Sequence, residues 1–552
     1  MKRRNFLVLL LATFALTGCS LFDALFPKKD PSGEEEQKQT VINGEFYGGI
    51  TETGNYRGYE FSKFKEEQKK PTSGVGEVDI YAFNDFHGAI LESKSEPGLK
   101  RLGTFFKEKS QNQNTLIFDQ GDTWQGTFES NYEYGTLIQD VFNYANVSLR
   151  TLGNHDFDWG LNKLEEVANR KFEDEYIPSL GANVFDFANG LTGSEQQYKY
   201  GREYSTFVLD NGLKVGVVGV IGEDQWTSIC STYVENIVFT HHIEKIKEIS
   251  DFLRIEKECD IVVASTHESS SDMVELGNSV TVVSPVSNKR YVDLVLGGHS
   301  HYDQKYEING VPFVQWSANG STTGHVTLKY DFSTSSVLDS QTTINTYNCN
   351  YMKYYYSNID PKIDEMVDSY LNRINEIGDE VLSTNFSGSF DTTALARLMS
   401  EAIFKRVSSS FSDLKFAISY YARNEFSGST FTYRDLYRCF PFDNRIIILN
   451  VSSYYGVTSI TYYYSYREDT SLTPEHGKTY RCAIVDYIAL HKNTNRQFDK
   501  FPDAKSYMVY SDDNGYSPNY REILYDYLKA NKDKVFAASN YQSDSPHFIK
   551  YS

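Results

Sequence analysis

Past its first nineteen residues the chain holds no apolar run approaching the ~18 residues that a membrane-crossing helix needs, which excludes a bundle of such helices. Cysteine is sparse, six in 552 residues, and none of Cys19, Cys230, Cys259, Cys349, Cys439 and Cys482 stands in a C-x-x-C spacing. No thiolate metal site is therefore expected. Basic side chains are in deficit: 54 Lys and Arg against 74 Asp and Glu leave a formal charge of −20. Such a chain repels a phosphate backbone and lacks a basic stripe, so a nucleic-acid polymer is excluded as partner. No repeat of fixed period is present. Aromatics are plentiful instead, with 42 Tyr and 36 Phe, a load that serves both strand cores and stacking platforms. At ~150 residues per domain the length calls for at least two domains.

Residues 1–19 read as an export signal. Lys2, Arg3 and Arg4 form the positive start, Phe6 to Leu16 the apolar core, and Leu16-Thr17-Gly18-Cys19 the end. The ending resembles a bacterial lipobox, which implies cleavage before Cys19, lipid on that cysteine, and an exported protein anchored to an extracytoplasmic membrane face; separately, a monomer is expected. Residues 20–76 are polar and charged and are expected as a flexible tether. Of the remaining five cysteines, Cys439 and Cys482 either pair or stay as buried thiols.

From 77 to 347 short β-branched runs alternate with helix-like stretches, the rhythm of an α/β domain. Ile80 to Phe83, Leu116 to Phe118, Val215 to Val220, Ile261 to Val263 and Leu294 to Leu296 are the expected buried strands. Leu161 to Arg170 and Ile243 to Glu256 are expected helices. Residues 348–380 are expected as a helical linker between two domains, with an acidic helical pattern from Asn358 to Asp379 in which Ile363, Met366, Val367, Tyr370, Leu371 and Ile374 are spaced at three and four. A second unit covers 381–540, with helices at Thr393 to Val407 and near Tyr520 to Ala530 and a strand at Arg445 to Val451. Residues 541–552 are expected as a loose tail.

Five strand-like runs in the first unit end at a side chain able to hold a metal. The segments are Asn84-Asp85-Phe86-His87, Gly121-Asp122, Gly153-Asn154-His155-Asp156-Phe157-Asp158, Thr266-His267 and Gly297-Gly298-His299-Ser300-His301. Loops leaving the carboxyl ends of parallel strands gather at one crevice. Asp85 and His87, and likewise His299 and His301, stand two apart, a spacing that sends both side chains of an extended segment to one face. The glycines let the backbone turn sharply beside an ion or phosphate. Oxygen and imidazole donors without thiolates suit Zn²⁺, Mn²⁺ or similar ions, and seven candidate ligands suit two of them. Two divalent ions against Asp85 and Asp122 leave a cluster of about +2, which fits a phosphate dianion on an acidic protein. Such ions lower the pKa of bound water toward ~7, so hydroxide attack on phosphorus is the expected reaction. His241, His242, His325, His476, His491 and His547 have no comparable loop.

These loops resemble the calcineurin-like metallophosphatase superfamily and, within it, the secreted bacterial 5'-nucleotidase family. The resemblance implies an N-terminal four-layer α/β/β/α sandwich and a smaller C-terminal α/β substrate domain. It implies that Asp85, His87 and His301 bind a first ion, that Asn154, His267 and His299 bind a second, and that Asp122 bridges both. His155 corresponds to the catalytic histidine. Asp158 corresponds to its partner, fixing its tautomer; the other reading makes Asp158 an acid ahead of the helix that follows.

In the resembled family the C-terminal domain stacks a base between aromatics. Arg423 stands nine residues before Thr432, ahead of a matching Thr432 to Tyr437 run, and Phe440-Pro441-Phe442-Asp443-Asn444 matches Phe-Pro-Phe-x-Asn. This makes Arg423, Phe442 and Asn444 the candidate substrate contacts, although Phe440 and Phe442 also suit a core. Two stretches depart from the pattern. Tyr420 and Tyr421 replace two glycines, and His491 to Asn495 replace Gly-Gly-Asp-Gly-aromatic, leaving Phe498 or Phe501 as stand-ins for the second ring. The expected activity is hydrolysis of nucleoside 5'-phosphates or related small phosphate esters. The alternatives are a 2',3'-cyclic-nucleotide phosphodiesterase or UDP-sugar hydrolase using the same ions, and a surface binding lipoprotein that has lost catalysis.

Overall fold

The computed structural model describes residues 40–42, 46–53, 56–63, 70–173, 176–186, 196–197, 201–268, 273–493 and 497–549. The expectations for the leader, for Cys19 and for part of the 491–495 loop lie outside the described residues.

Two sheets face each other in the first unit. One contains Val75–Phe83, Thr115–Asp119 and Leu149–Thr151 as parallel neighbours. The other contains Lys214–Ile221, Ile261–His267 and Leu294–Leu296, again parallel. Strand alternation separates the two faces of each. Ile80, Leu116 and Leu149 from the first sheet meet Val217, Val263 and Leu296 from the second in one buried layer. Tyr81 and Phe83 turn outward, under the helices Gly98–Lys109, Thr136–Tyr144 and Leu161–Ala168. Val218, Val262 and Val295 turn the opposite way, under His242–Ile255 and Met273–Val280. The layers run helix, sheet, sheet, helix, and both sets of parallel strands deliver their carboxyl ends to the same edge. There Ser265 Oγ donates to Gln120 Oε1 across the sandwich at 2.6 Å.

The tether expectation needs correction. Phe46–Thr53 and Tyr56–Ser62 form an antiparallel pair, and Tyr56–Ser62 runs parallel to Tyr204–Val208 in the larger sheet. Tyr59 and Phe61 are buried between the sheets. The aromatic alternation is short and diluted by glycine and charge, so local polarity hides it. Gly58 is required here, because a Cβ would lie 2.4 Å from the Tyr204 ring that covers it.

Pro361–Gly378 is a helix, as its spacing predicts. Asp360 caps it by accepting from the N–H groups of Lys362 and Ile363 at 2.9 and 3.1 Å, and Pro361 stands in its first turn. Its apolar stripe of Ile363, Val367, Tyr370 and Ile374 packs into the outer helical layer of the first unit. It is therefore part of that unit's wall as well as a connection.

The C-terminal unit is a five-stranded sheet ordered Tyr464–Tyr466, Leu414–Ser419, Tyr480–Val485, Ile446–Val451, Met508–Val509. The helices Thr392–Val407 and Tyr520–Ala530 share its core. The described part of the expected tail belongs to that core: Phe548 is buried against Tyr466, with ring centroids 5.6 Å apart. A burial pattern of single aromatics separated by polar residues gives no periodic signal, which is why the segment reads as loose. All five described cysteines are buried and unpaired, so Cys439 and Cys482 are thiols.

Candidate metal centre and substrate cavity

Each of the five expected segments leaves its strand at the shared edge. Asp85, His87, Asp122, His299 and His301 all have φ between 47° and 78°. The left-handed region is costly for residues with a side chain, about 1–3 kcal/mol each, and survives only where the surroundings impose it. Gly153 supplies the close approach between two of the loops: a Cβ there would stand 2.2 Å from Asp122 Oδ1.

The side chains converge as two donor groups. Asp85, His87 and His301 form one, and Asp122, His267 and His299 the other, with ligand atoms within 4.8 Å of one another in each. His301 Nε2 lies 3.3 Å from Asp85 Oδ1 and 3.0 Å from His87 Nε2. Asn154 Oδ1 sits 2.9 Å from His299 Nδ1 and 3.2 Å from His267 Nε2. Asp122 Oδ2 stands between the groups, 3.2 Å from His267 Nε2 and 3.8 Å from His87 Nε2. The seven expected ligands thus share one address.

Backbone carbonyls fix two of the imidazoles. His87 Nδ1 donates to Gln125 O at 3.0 Å and His267 Nδ1 to Gln120 O at 2.7 Å, which leaves each Nε2 facing the donor cluster. Asp85 Oδ1 and Asp122 Oδ2 are buried and accept no hydrogen bond. Buried carboxylate oxygens without donors are costly unless a cation meets them. Burial opposes protonation of His267, yet Asp122 and Asp85 outweigh it and push its pKa up to about 10. Burial likewise acts to raise Asp122, and the surrounding His267 and His155 hold it well below the usual carboxylate range. The donor set therefore fits two divalent cations in chemistry, in orphaned oxygens and in charge.

His155 lies beside this cluster, its ring centroid 5.5 Å from that of His87. Its N–H donates to Asp122 Oδ1 at 2.7 Å, and its Nδ1 lies 2.6 Å from Asp158 Oδ2. Asp158 therefore orients His155. It does not cap the following helix, whose N-cap is Gly160 without a side-chain bond. Burial lowers the His155 pKa and Asp158 and Asp122 raise it, with a net upward shift.

Asp156 was not singled out from the sequence. It is buried, and its carboxylate accepts from the N–H groups of Gly153, Thr123 and Asp122 at 2.9, 3.1 and 3.3 Å, tying two ligand loops together. Its place inside the Gly153 to Asp158 segment was the available signal. Asp119 is a second such residue: it accepts from Gly121 N and, in a fully buried ion pair, from Arg150 Nε at 2.8 Å. Neither shows any periodic or spacing signature. His242 was passed over as well; its Nε2 lies 2.8 Å from Glu268, the neighbour of His267.

Arg423, Phe442 and Asn444 come to the same place. They line a cavity of about 240 Å³ that also reaches Asn154, His155 and His299. Phe442 is stacked on His155, with centroids 5.7 Å apart and planes at 25°, and the Arg423 guanidinium lies 5.5 Å from the Phe442 centroid. The loop bearing Phe442 is held from both units. Asn131 Nδ2 donates to Pro441 O at 2.9 Å, and buried Arg521 donates to Phe440 O at 3.0 Å and Phe442 O at 2.8 Å. The stand-in rings did not assemble: Phe501 is fully buried and Phe498 packs on the same C-terminal core. Tyr420, Tyr421, Tyr487 and Tyr233 line the cavity instead. Cys230 lines it too, but burial pushes its thiol well up, away from nucleophilic use.

The calcineurin-like phosphoesterase family model matches residues 78–303. An apyrase of Tabanus yao is 29% identical over 237 residues, 41% of this chain and 39% of its own length. A 5'-nucleotidase of Diplobatis ommata is 27% identical over 43% of this chain and 40% of its own length. The chain thus spans about two fifths of the length of these curated relatives. The structure of a 5'-nucleotidase precursor from Thermus thermophilus superposes with a TM-score of 0.62 over 83% of this chain and 97% of that one. At 17% identity that likeness concerns the fold. No helix among the described residues is long and apolar enough to cross a membrane.

Proposed function

Because residues 78–303 match the calcineurin-like phosphoesterase family model, we propose that the chain is a two-metal phosphomonoesterase acting on nucleoside 5'-phosphates outside the cytoplasm. Asp85, His87 and His301 would hold one ion, Asn154, His267 and His299 the other, and Asp122 both. Ions so held supply positive charge to the phosphoryl oxygens and make water acidic enough to react at neutral pH.

The chain's own groups do the rest. Arg423, which lines the cavity, pairs with phosphoryl oxygen. His155, oriented through Nδ1 by Asp158, presents Nε2 to the leaving oxygen and gives it a proton. A water oxygen bonds to phosphorus and releases a proton to solvent, the ester P–O bond breaks, the products are an alcohol and inorganic phosphate, and His155 regains its proton from solvent. The observation that carries this reading is the pair of adjoining donor groups, with Asp122 of the second placing an Oδ2 that accepts no hydrogen bond 3.8 Å from His87 of the first.

AMP, a 2',3'-cyclic nucleotide and UDP-glucose, each offered with Mn²⁺ and again after chelation and add-back, test it. The highest kcat/KM is expected for AMP, lost on chelation and restored by Mn²⁺. A preference for either of the others replaces the substrate class, and no metal-dependent turnover of any ester supports the binding-protein reading.

Cys19 is proposed as the lipid-bearing residue that keeps the enzyme at the membrane, on the strength of the Leu16-Thr17-Gly18-Cys19 sequence. Cys19→Ser should move the protein from the membrane fraction to the soluble fraction. Unchanged fractionation removes the anchor.

A further inference from the structure

Tyrosines make up much of the cavity lining away from the ligand residues: Tyr233, Tyr420, Tyr421, Tyr487 and Tyr520. Tyr420 and Tyr421 pack closely with their planes tilted by 38° and centroids 4.1 Å apart, and Tyr420 meets Tyr487 at 5.6 Å and Tyr463 at 6.0 Å. The rings therefore support one another and leave no slot between them for a further ring. Phe442 is occupied on the metal side by His155. The space that remains, about 240 Å³, is less than the ~300–1,000 Å³ of pockets that take drug-sized ligands. Neither tyrosine has a positive φ, so the backbone at these positions does not call for glycine. Their bulk is an addition to the wall and answers no demand of the chain's path.

We infer that Tyr420 and Tyr421 set a size limit on the substrate: the site accepts a single phosphoryl group on one compact alcohol, such as a nucleoside monophosphate or a sugar phosphate, and turns away nucleoside diphosphate sugars and dinucleotides. This rests on the phosphoesterase reading and deepens it. The two rings select by filling space, while hydrolysis itself belongs to the metal centre and His155.

The test compares ribose 5-phosphate, AMP and UDP-glucose with Mn²⁺ in the full chain, in Tyr420→Gly/Tyr421→Gly and in Tyr421→Gly. The parent should favour both monoesters over UDP-glucose. In the double variant the ratio of kcat/KM for UDP-glucose to that for ribose 5-phosphate should rise about tenfold or more, the scale on which pocket contacts discriminate. Tyr421 is 41% exposed, so its single replacement tests the same shift in a protein whose core is untouched. A parent that hydrolyses UDP-glucose as efficiently as the monoesters, or variants with an unchanged ratio, overturns the size limit alone. Absence of turnover with every ester overturns the phosphoesterase reading together with it.

Discussion

His155 and Asp158 illustrate how a site is built from single contacts. The 2.6 Å approach of Asp158 to Nδ1 leaves Nε2 as the one imidazole nitrogen free to exchange a proton with substrate. His155→Ala should lower kcat by ~10²–10⁴ with little change in metal content, read by steady-state kinetics and metal analysis. Asp156 acts through others: it collects three N–H groups from the Asp122 and Gly153 loops. Asp156→Ala should weaken metal binding about 10–100-fold, as loss of a ligand-orienting group does, and excess Mn²⁺ should restore activity. Metal affinity equal to the parent's would show that the loops hold without it. Gly153→Ala is the sharper lesion, since its methyl would collide with Asp122 Oδ1.

Strands and helices decide whether those contacts can exist. The strands end at one edge because they run parallel, and their alternation packs Ile80 and Leu116 inward and Tyr81 outward. Leu116 is fully buried between the sheets. Leu116→Ala should cost ~2–5 kcal/mol, measured as a lowered denaturation midpoint, because the layer cannot collapse around the cavity. The apolar runs that mark these strands, and the three-and-four spacing in Pro361–Gly378, were legible because each is a local pattern of several residues. The strands at 46–62 and the packing of Phe548 were not. Their partners, Tyr204–Val208 and Tyr466, lie far away along the chain, so nothing nearby announces the pairing.

Across the whole molecule, metal occupancy and fold are one equilibrium. Two sheets bring Asp85 and Asp122 against His267, His299 and His301, leaving buried acidic oxygens that a cation satisfies. Chelation should therefore lower the Tm, and Mn²⁺ at about 100 times its Kd should return ~2.7 kcal/mol of stability. A Tm indifferent to chelator would mean that the donor groups do not hold ions in the folded state. The two units also meet around the cavity. Asn131 reaches Pro441, and Ser231 Oγ reaches Leu490 O at 2.8 Å. Asn131→Ala should raise KM in steady-state kinetics, since it removes the bond that seats the Phe442 loop.

Residue types at strand exits settled the chemistry in advance. Asp85, His87, Asp122, Asn154, His267, His299 and His301 are recognisable as candidate ligands because metal binding demands particular atoms, and the short loops after strands are where a chain can offer them. The makeup of the cavity wall followed from folding. That Tyr487 stands there while Phe501 is buried depends on distances between segments hundreds of residues apart, whereas Asp158 turns to His155 only three residues away instead of capping a helix end. An aromatic ring carries the same label in a core and in a pocket, and packing assigns it to one or the other.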